Sequence, residues 1–204
     1  MTMLDLKEGE LAVRFARRVV DSHVKGKDFG KEELGGKFRE KSGAFVTILT
    51  YPKRELRGCI GIPEPVYELQ YALEEAARSA TRDPRFPPLM ENELDKVIIE
   101  VTILSPPKLV EVKKPKEYLE KIKIGRDGLI AEKGIYKGLL LPQVPVEWGW
   151  DVEEFLSQTC MKAGLPPDAW IDKDTKIYSF TGQIFAEREP YGEVEERKID
   201  RESS

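Results

Sequence analysis

The chain has 204 residues, of which 40% are hydrophobic and 34% are charged, and its formal net charge is −4. This composition is typical of a folded globular protein with one large domain or two small subdomains, and it excludes a disordered chain and a membrane-spanning chain. The negative net charge argues against general nucleic-acid binding, because neutralising phosphates requires a basic face.

The N-terminus and the cysteines indicate the compartment. The first ten residues lack the basic start and apolar centre of a signal peptide, so we expect a cytoplasmic protein with no membrane association. Cys59 and Cys160 are therefore predicted to be free thiols. Asn92 is the only asparagine in a chain rich in Glu, Lys and Arg. That usage is typical of thermophile proteins, in which intracellular disulfides do occur.

The first quarter of the chain predicts a helix followed by a hairpin. Apolar residues at helical spacing predict an amphipathic helix over residues 7–24 that packs on a sheet. Residues 25–42 predict a loop with at most a short helical turn. Its glycines do not form a phosphate-binding loop, because Gly36 stands where the lysine is required. Two strand-like runs at 44–50 and 56–62, joined by a polar turn, predict a hairpin.

The middle of the chain predicts alternating helices and strands. Residues 66–81 have the periodicity of a second helix, which a proline-rich segment ends. Residues 96–104 are the strongest predicted strand. A short helix is predicted over 117–122, and strands at 129–133 and 138–141 are predicted to form a second hairpin.

The last third of the chain predicts one more helix and one more strand. Asp151 and Glu154 have the spacing of a capping box, which predicts a helix over 152–163. Residues 176–186 alternate as a half-buried strand does, and the mostly charged residues 187–204 are expected to fray. Because hairpins outnumber strand-helix-strand crossovers, we predict an α+β fold with a largely antiparallel sheet flanked by helices.

The arrangement of Arg57 and Cys59 resembles a functional site. Residues two apart in a strand share a face, and a nearby guanidinium favours the thiolate form of a cysteine. A catalytic cysteine usually has a base, and His23, the only histidine, is a distant candidate in sequence. The alternative is that Cys59 is a small buried residue and that Arg57 pairs with an acid such as Asp83 or Glu100.

The ligand types available argue against a structural zinc site. One histidine and two distant cysteines cannot provide the usual zinc spacings, and no metal site is predicted. Cys160, at the edge of an apolar helix stripe, is predicted to lie in the core. Gly58 and Gly61 leave the main chain bare beside Cys59, which suits either the approach of a substrate or a tight strand packing.

Four motifs in chain order resemble the AMMECR-domain family. They are LRGCIG at 56–61, ATRDPRF at 80–86, LPQV at 141–144 and FLSQTCMKAGL at 155–165. The resemblance implies a cytoplasmic α+β protein of two unequal subdomains, with a cleft near the 56–61 motif and an unsettled biochemical role. We accordingly predict one domain over residues 1–190, built from two subdomains, and a charged tail over 191–204.

The first functional hypothesis is an enzyme, or an acceptor of a transferred group, that acts at this cleft. Cys59 would be the reactive thiol, and Arg57 would hold an anion or stabilise the thiolate. The candidate substrate-binding residues are Gly58, Gly61, Asp83, Arg85 and Gln143. The alternative for Asp83 and Arg85 is an ion pair that holds a helix-to-loop corner. The sequence does not identify a cofactor, which stays unknown.

The second hypothesis is an adaptor module that binds a protein partner. Aromatic side chains dominate binding hot spots, and Trp148, Trp150, Trp170 and Tyr136 are candidates. The resemblance implies a Memo-like protein or a radical S-adenosylmethionine protein as the partner. This chain has no CxxxCxxC cluster, so radical chemistry would belong to that partner. The alternative is that the tryptophans close the core.

Overall fold

The computed structural model describes residues 3–197 and divides them into two compact units. The first unit comprises the chain up to Pro106 together with the segment from Gln183 onward, and the second comprises Pro107–Gly182. Both units combine helices with antiparallel strands, so the α+β prediction is confirmed. None of the helices within residues 3–197 has the length and apolar character needed to span a bilayer.

The first unit begins with helix α1, Leu6–Val24, as the apolar spacing predicts. A capping box that the sequence analysis missed fixes its start. Asp5 Oδ1 accepts a hydrogen bond from the backbone N–H of Glu8 at 2.9 Å, and Glu8 Oε2 accepts one from Asp5 N–H at 2.8 Å. These reciprocal bonds satisfy two backbone donors at the helix start. Phe15 and Val19 are fully buried on the inner face of α1.

Three neighbouring antiparallel strands lie at one end of the sheet of the first unit, which two strand segments from the C-terminal part of the chain extend. They are β1, Gly43–Thr50, β2, Leu56–Ile62, and β3, Val97–Leu104, with β1 in the centre. The predicted hairpin and the strongest predicted strand are thus confirmed. Buried aliphatic side chains such as Val46 and Ile99 line one face and belong to the same core cluster as the buried residues of α1.

Helix α2, Leu69–Ala80, begins three residues later than the sequence predicts. The preceding residues form a backbone bridge instead of a helical turn: Ser42 N–H donates to the Tyr67 carbonyl at 3.2 Å, and Leu69 N–H donates to the Glu40 carbonyl at 2.9 Å. These pairings hold Glu68 in a non-helical conformation. A 3-10 turn at Gly36–Arg39 matches the short helical turn predicted there. A second 3-10 segment, Glu91–Lys96, was not predicted.

The second unit has a meander of short strands. Strand β7 spans Lys176–Glu187, and its last residues belong to the first unit. Strand β4, Lys108–Leu109, pairs with the first half of β7. Strands β5, Asp127–Lys133, and β6, Tyr136–Leu140, form the predicted second hairpin. Gly134 turns this hairpin with φ +60°, a conformation that glycine adopts without steric cost.

Three helices complete the second unit. They are α3, Tyr118–Lys121, α4, Val144–Trp148, which was not predicted, and α5, Val152–Lys162. Asp151 caps α5 by accepting from Glu154 N–H at 2.8 Å, but the Glu154 carboxylate accepts from Gln158 instead, so only half of the predicted capping box forms.

The expected fraying beyond residue 187 is wrong for part of that segment. Strand β8, Val194–Arg197, pairs antiparallel with the end of β7. Its charged side chains are compatible with a strand because they form ion pairs. For example, Arg197 Nη1 donates a hydrogen bond to Glu100 Oε2 at 2.8 Å. Residues 198–204 of the predicted tail lie outside the described residues, and the domain boundary at 190 stays a prediction.

Candidate functional site

The β1–β2 hairpin presents Cys59 on the face of the sheet opposite the core. Cys59 lies across from Thr47 in the ladder, and Thr47 in turn lies across from Glu100 of β3. Arg57 falls at a register shift, because Ile48 pairs with Gly58 whereas the next residue of β1 pairs with Leu56. The strand therefore bulges at Arg57, and the simple alternation that joined Arg57 to Cys59 does not hold there.

Arg57 is hydrogen-bonded to the proline-rich loop and to the segment that follows it. Its Nε and Nη2 donate to the two carboxylate oxygens of Glu93 at 2.8 and 3.0 Å, and Nη1 donates to the Pro87 carbonyl at 2.9 Å. This pairing lowers the pKa of Glu93. The acid that Arg57 pairs with is Glu93 rather than Asp83 or Glu100. The proposed stabilisation of a thiolate by Arg57 does not match this geometry.

Cys59 is half-buried, and its thiol, its N–H and its carbonyl each form a hydrogen bond. Its Sγ accepts a hydrogen bond from Thr47 Oγ1 at 3.3 Å, and its N–H donates to Asp83 Oδ2 at 2.9 Å. Its carbonyl accepts from Arg85 Nη2 at 3.1 Å. Burial raises the pKa of the Cys59 thiol, although the Thr47 hydrogen bond and the Arg85 charge oppose this effect. The thiol is consequently neutral near neutral pH.

Asp83 joins the proline-rich loop to β2. Its side chain is only 1% exposed, and each of its carboxylate oxygens accepts two hydrogen bonds. Oδ1 accepts from Arg85 N–H and Arg85 Nε, both at 3.0 Å, while Oδ2 accepts from Cys59 N–H and from Arg85 Nη2 at 2.6 Å. The Arg85 hydrogen bonds are the main reason that the pKa of Asp83 lies well below its usual range.

Arg85 is the cation that accompanies Cys59. Its side chain stays 56% exposed although Asp83 holds one edge of the guanidinium. Its Nη1 donates no hydrogen bond within the part of the chain that the structure describes. The ion pair predicted as an alternative for these two residues is thus present, and it still leaves a fixed, solvent-facing guanidinium edge.

Close packing explains both glycines of the motif. A Cβ atom on Gly58 would lie 2.3 Å from the Ala80 carbonyl oxygen, and one on Gly61 would lie 2.3 Å from the Phe45 ring. The tight-packing alternative accounts for their presence. Whether a substrate also approaches them stays a prediction.

His23 is engaged by Thr81. The ring Nδ1 lies 2.8 Å from Thr81 Oγ1, and this hydroxyl donates to the Arg78 carbonyl at 2.7 Å, so Nδ1 is the donor. Burial, followed by the charges of Arg82 and Arg78, lowers the pKa of His23. His23 thus donates its hydrogen bond to Thr81 at the end of α2 and not to the thiol.

Sequence reasoning missed two residues of this site, Thr47 and Glu93. Thr47 could have been found by continuing the hairpin register, since it lies directly across from Cys59. No sequence signal indicated Glu93, because the short segment between the proline-rich loop and β3 has no periodicity that predicts its 3-10 turn.

The remaining predicted residues belong to the second unit. Gln143 precedes α4, and its Oε1 is buried without a hydrogen-bond partner among the described residues; its place in a cleft stays a prediction. Cys160 is fully buried, as predicted, and burial raises its pKa to about 11.

The three tryptophans have different environments. Trp170 is 6% exposed and belongs to the core of the second unit, whereas Trp148 is 70% exposed. Trp148 stacks on the half-buried Trp150 with ring centroids 6.1 Å apart and an interplanar angle of 19°. Tyr136 is 52% exposed.

Comparisons with known proteins find a matching family model and several similar proteins. A family model described as AMMECR1 matches residues 13–185. Protein MJ0810 of Methanocaldococcus jannaschii is 60% identical over 200 residues, which cover 98% of this chain and 100% of that protein. Protein MK0488 of Methanopyrus kandleri is 52% identical, with 98% of each chain covered.

A solved structure shows the same fold. The crystal structure of the uncharacterized protein PH0010 from Pyrococcus horikoshii has a TM-score of 0.84 to this chain and 51% sequence identity. The match covers 96% of this chain and 98% of that one.

Proposed function

This chain belongs to the AMMECR1 family, and we propose that it is a binding protein that holds a small anionic molecule beside Cys59. The single observation that carries the proposal is the Arg85 guanidinium, which Asp83 fixes next to the Cys59 carbonyl while more than half of its side chain faces solvent. A preorganised guanidinium edge is well suited to a carboxylate or a phosphate.

In this proposal Cys59 contacts the ligand through its neutral thiol and does not act as a nucleophile. Its raised pKa keeps the thiol protonated, and the only histidine is hydrogen-bonded to Thr81. A thiol in this state can accept or donate a weak hydrogen bond to a ligand. Arg57 positions the loop that carries the site through its bonds to Glu93 and Pro87.

Paired alkylating reagents test whether an anion site adjoins the thiol. Iodoacetate and iodoacetamide both transfer a carbon to the thiolate with loss of iodide, but only iodoacetate carries a negative charge. We expect the rate ratio of iodoacetate to iodoacetamide at Cys59 to exceed that of N-acetylcysteine by about two- to fivefold. Peptide mass mapping separates Cys59 from Cys160, whose burial protects it.

Matched arginine variants identify the group responsible. Arg85→Gln should return the ratio to that of the free thiol, and Arg85→Lys should retain part of the excess, because the lysine keeps the charge and loses the paired edge. Arg82→Gln is the control, since Arg82 is an exposed arginine of the same loop. A wild-type ratio equal to that of N-acetylcysteine contradicts the proposal, as does an equal loss in Arg82→Gln.

A second candidate function is partner binding in the cytoplasm. Trp148 favours it, because a stacked and largely exposed tryptophan is unusual on a surface that contacts only water. The partner implied by resemblance is a Memo-like or radical S-adenosylmethionine protein, and purified proteins of these two types are the probes to use.

A tryptophan variant with an exposed apolar control tests this candidate. Trp148→Ala should abolish the complex and change the free energy of unfolding by less than about 0.5 kcal/mol, because the side chain lies at the surface. Ile135→Ala removes another exposed apolar side chain of the same unit and should leave the complex intact. Absence of any complex with the wild-type chain rejects this candidate without affecting the Cys59 proposal.

A further inference from the structure

Strand β2 is the last strand on its side of the sheet. It pairs with β1 along one edge, and no strand within residues 3–197 pairs with its other edge. The free edge of such a strand presents backbone N–H and C=O groups to which an extended chain can bond, and proteins usually cover or charge it. What covers the outer edge of β2 therefore decides whether another chain can bind there.

The proline-rich loop covers this edge at Cys59. The Cys59 N–H donates to Asp83 Oδ2 at 2.9 Å, and the Cys59 carbonyl accepts from Arg85 Nη2 at 3.1 Å. Side chains of the loop thus occupy the place of a neighbouring strand. These two bonds also show that the backbone groups of Cys59 point away from β1.

The edge is open again at Gly61. In an antiparallel ladder the outward-facing backbone groups recur at every second residue, so the N–H and carbonyl of Gly61 point the same way as those of Cys59. Gly61 is partly exposed, and neither of these groups bonds to a loop or side chain anywhere in the described chain from 3 to 197. A donor and an acceptor are therefore left for an incoming chain.

A positive charge lies at the end of this open stretch. Arg85 is bonded to the Cys59 carbonyl, which is the outward-facing group that immediately precedes those of Gly61. Residues 81–88 contain two arginines and one aspartate, and each carboxylate oxygen of that aspartate, Asp83, already accepts two hydrogen bonds. The charge next to the open backbone groups thus complements a carboxylate.

We propose that the anionic group bound at Arg85 is the C-terminal carboxylate of an extended peptide that adds to the edge of β2; this inference rests on the proposed function. Arg85 lies on the Cys59 side of Gly61, and a chain antiparallel to β2 reaches that side with its C-terminus. Its penultimate residue then lies opposite Gly61 and exchanges both backbone hydrogen bonds with it. Main-chain bonds of this kind supply the affinity in strand addition.

Fluorescence anisotropy with a labelled hexapeptide tests this binding mode. The probe is fluorescein-Gly-Ser-Thr-Val-Thr-Val, whose last four residues favour extended structure. Wild-type protein should bind the free acid at least about fivefold more tightly than the C-terminal amide, because the amide has no charge for Arg85. Binding that does not distinguish the acid from the amide overturns the proposal, as does the absence of binding.

Two N-methylated peptides test the pairing with Gly61. Methylating the penultimate amide nitrogen removes the donor to the Gly61 carbonyl and should weaken binding by about fivefold or more. The antepenultimate nitrogen faces away from β2 in the proposed register, so its methylation is the control and should change binding by less than about twofold. Equal effects of the two methyl groups contradict the register.

Arginine variants connect the carboxylate to its site. Arg85→Gln should bind the acid and the amide equally, whereas Arg82→Gln, which changes an exposed arginine of the same loop, should keep the preference of wild type. An equal loss of preference in both variants contradicts the assignment. An iodoacetate excess at Cys59 without peptide binding rejects this inference alone, and the absence of both rejects the proposed function as well.

Discussion

Asp83 sets the position of both groups that define the candidate site. Its buried carboxylate accepts from the N–H of Cys59 and from one edge of the Arg85 guanidinium, so Cys59 and the guanidinium share one anchor. Arg57, which the sequence makes conspicuous, acts on the other side of the loop through Glu93. The chemistry of the site therefore depends on a loop that folds back onto β2.

Replacing Asp83 tests this anchor through pH. Asp83→Asn should lower the free energy of unfolding by about 2 kcal/mol near neutral pH, because charge-assisted hydrogen bonds are lost. The folded-state pKa of Asp83 is depressed, so its contribution is fully present above the unfolded pKa, about 4, and is lost as pH falls through the folded pKa. The difference between wild type and variant in urea unfolding should shrink as the pH is lowered below about 4. A difference that does not vary with pH would argue against an ionised anchor.

Thr47 should tune the acidity of Cys59. Its hydroxyl donates to Sγ and so stabilises the thiolate, which opposes the effect of burial on the pKa. Thr47→Val should raise the pKa of Cys59 further and shift the pH profile of iodoacetamide alkylation to higher pH, whereas Thr47→Ser should retain the wild-type profile. A profile that is identical in all three proteins would show that the hydrogen bond has no effect on the thiol.

At the scale of elements, the hairpin depends on backbone approaches that only glycine permits. The Ala80 carbonyl at the end of α2 occupies the space where a side chain at Gly58 would begin. The loop that carries Asp83 follows directly after α2. The spacing between α2 and β2 thus determines where the loop can reach Cys59.

Gly58→Ala tests this spacing. The added Cβ would overlap a backbone atom, which cannot move aside as a flexible side chain can, and we expect a loss of about 1 to 3 kcal/mol in the free energy of unfolding. Gly35→Ala is the matched control, because its φ of −94° suits alanine and no atom lies within 4 Å of the new Cβ. Equal stability of the two variants in denaturant titrations would contradict the packing explanation.

Local patterns predicted the elements well and their partners poorly. Periodicity identified α1, β2 and β3 because their buried faces repeat along the sequence. The bulge at Arg57 and the late start of α2 were not predictable, since each arises from a pairing with a distant segment. Likewise, the choice of Glu93 over Asp83 as the partner of Arg57 depends on how the loop folds back, which no local signal encodes.

For the whole molecule, the composition predicts high thermal stability. The first unit contains a buried ion-pair network in which Arg17 bonds Glu187, and Glu187 also accepts from Ile99 N–H at 2.9 Å. Ion-pair networks and scarce asparagine are typical of thermophile proteins. We expect a Tm well above about 65 °C, the upper end for mesophile domains. Scanning calorimetry that gives a Tm within the mesophile range would contradict this expectation.

In the site that we propose, Arg85 places a fixed positive charge beside Cys59. The most direct measurement is the ratio of iodoacetate to iodoacetamide alkylation rates at Cys59 in wild type and Arg85→Gln. We expect an excess over N-acetylcysteine in wild type that disappears in the variant. A wild-type ratio that matches the free thiol would contradict it.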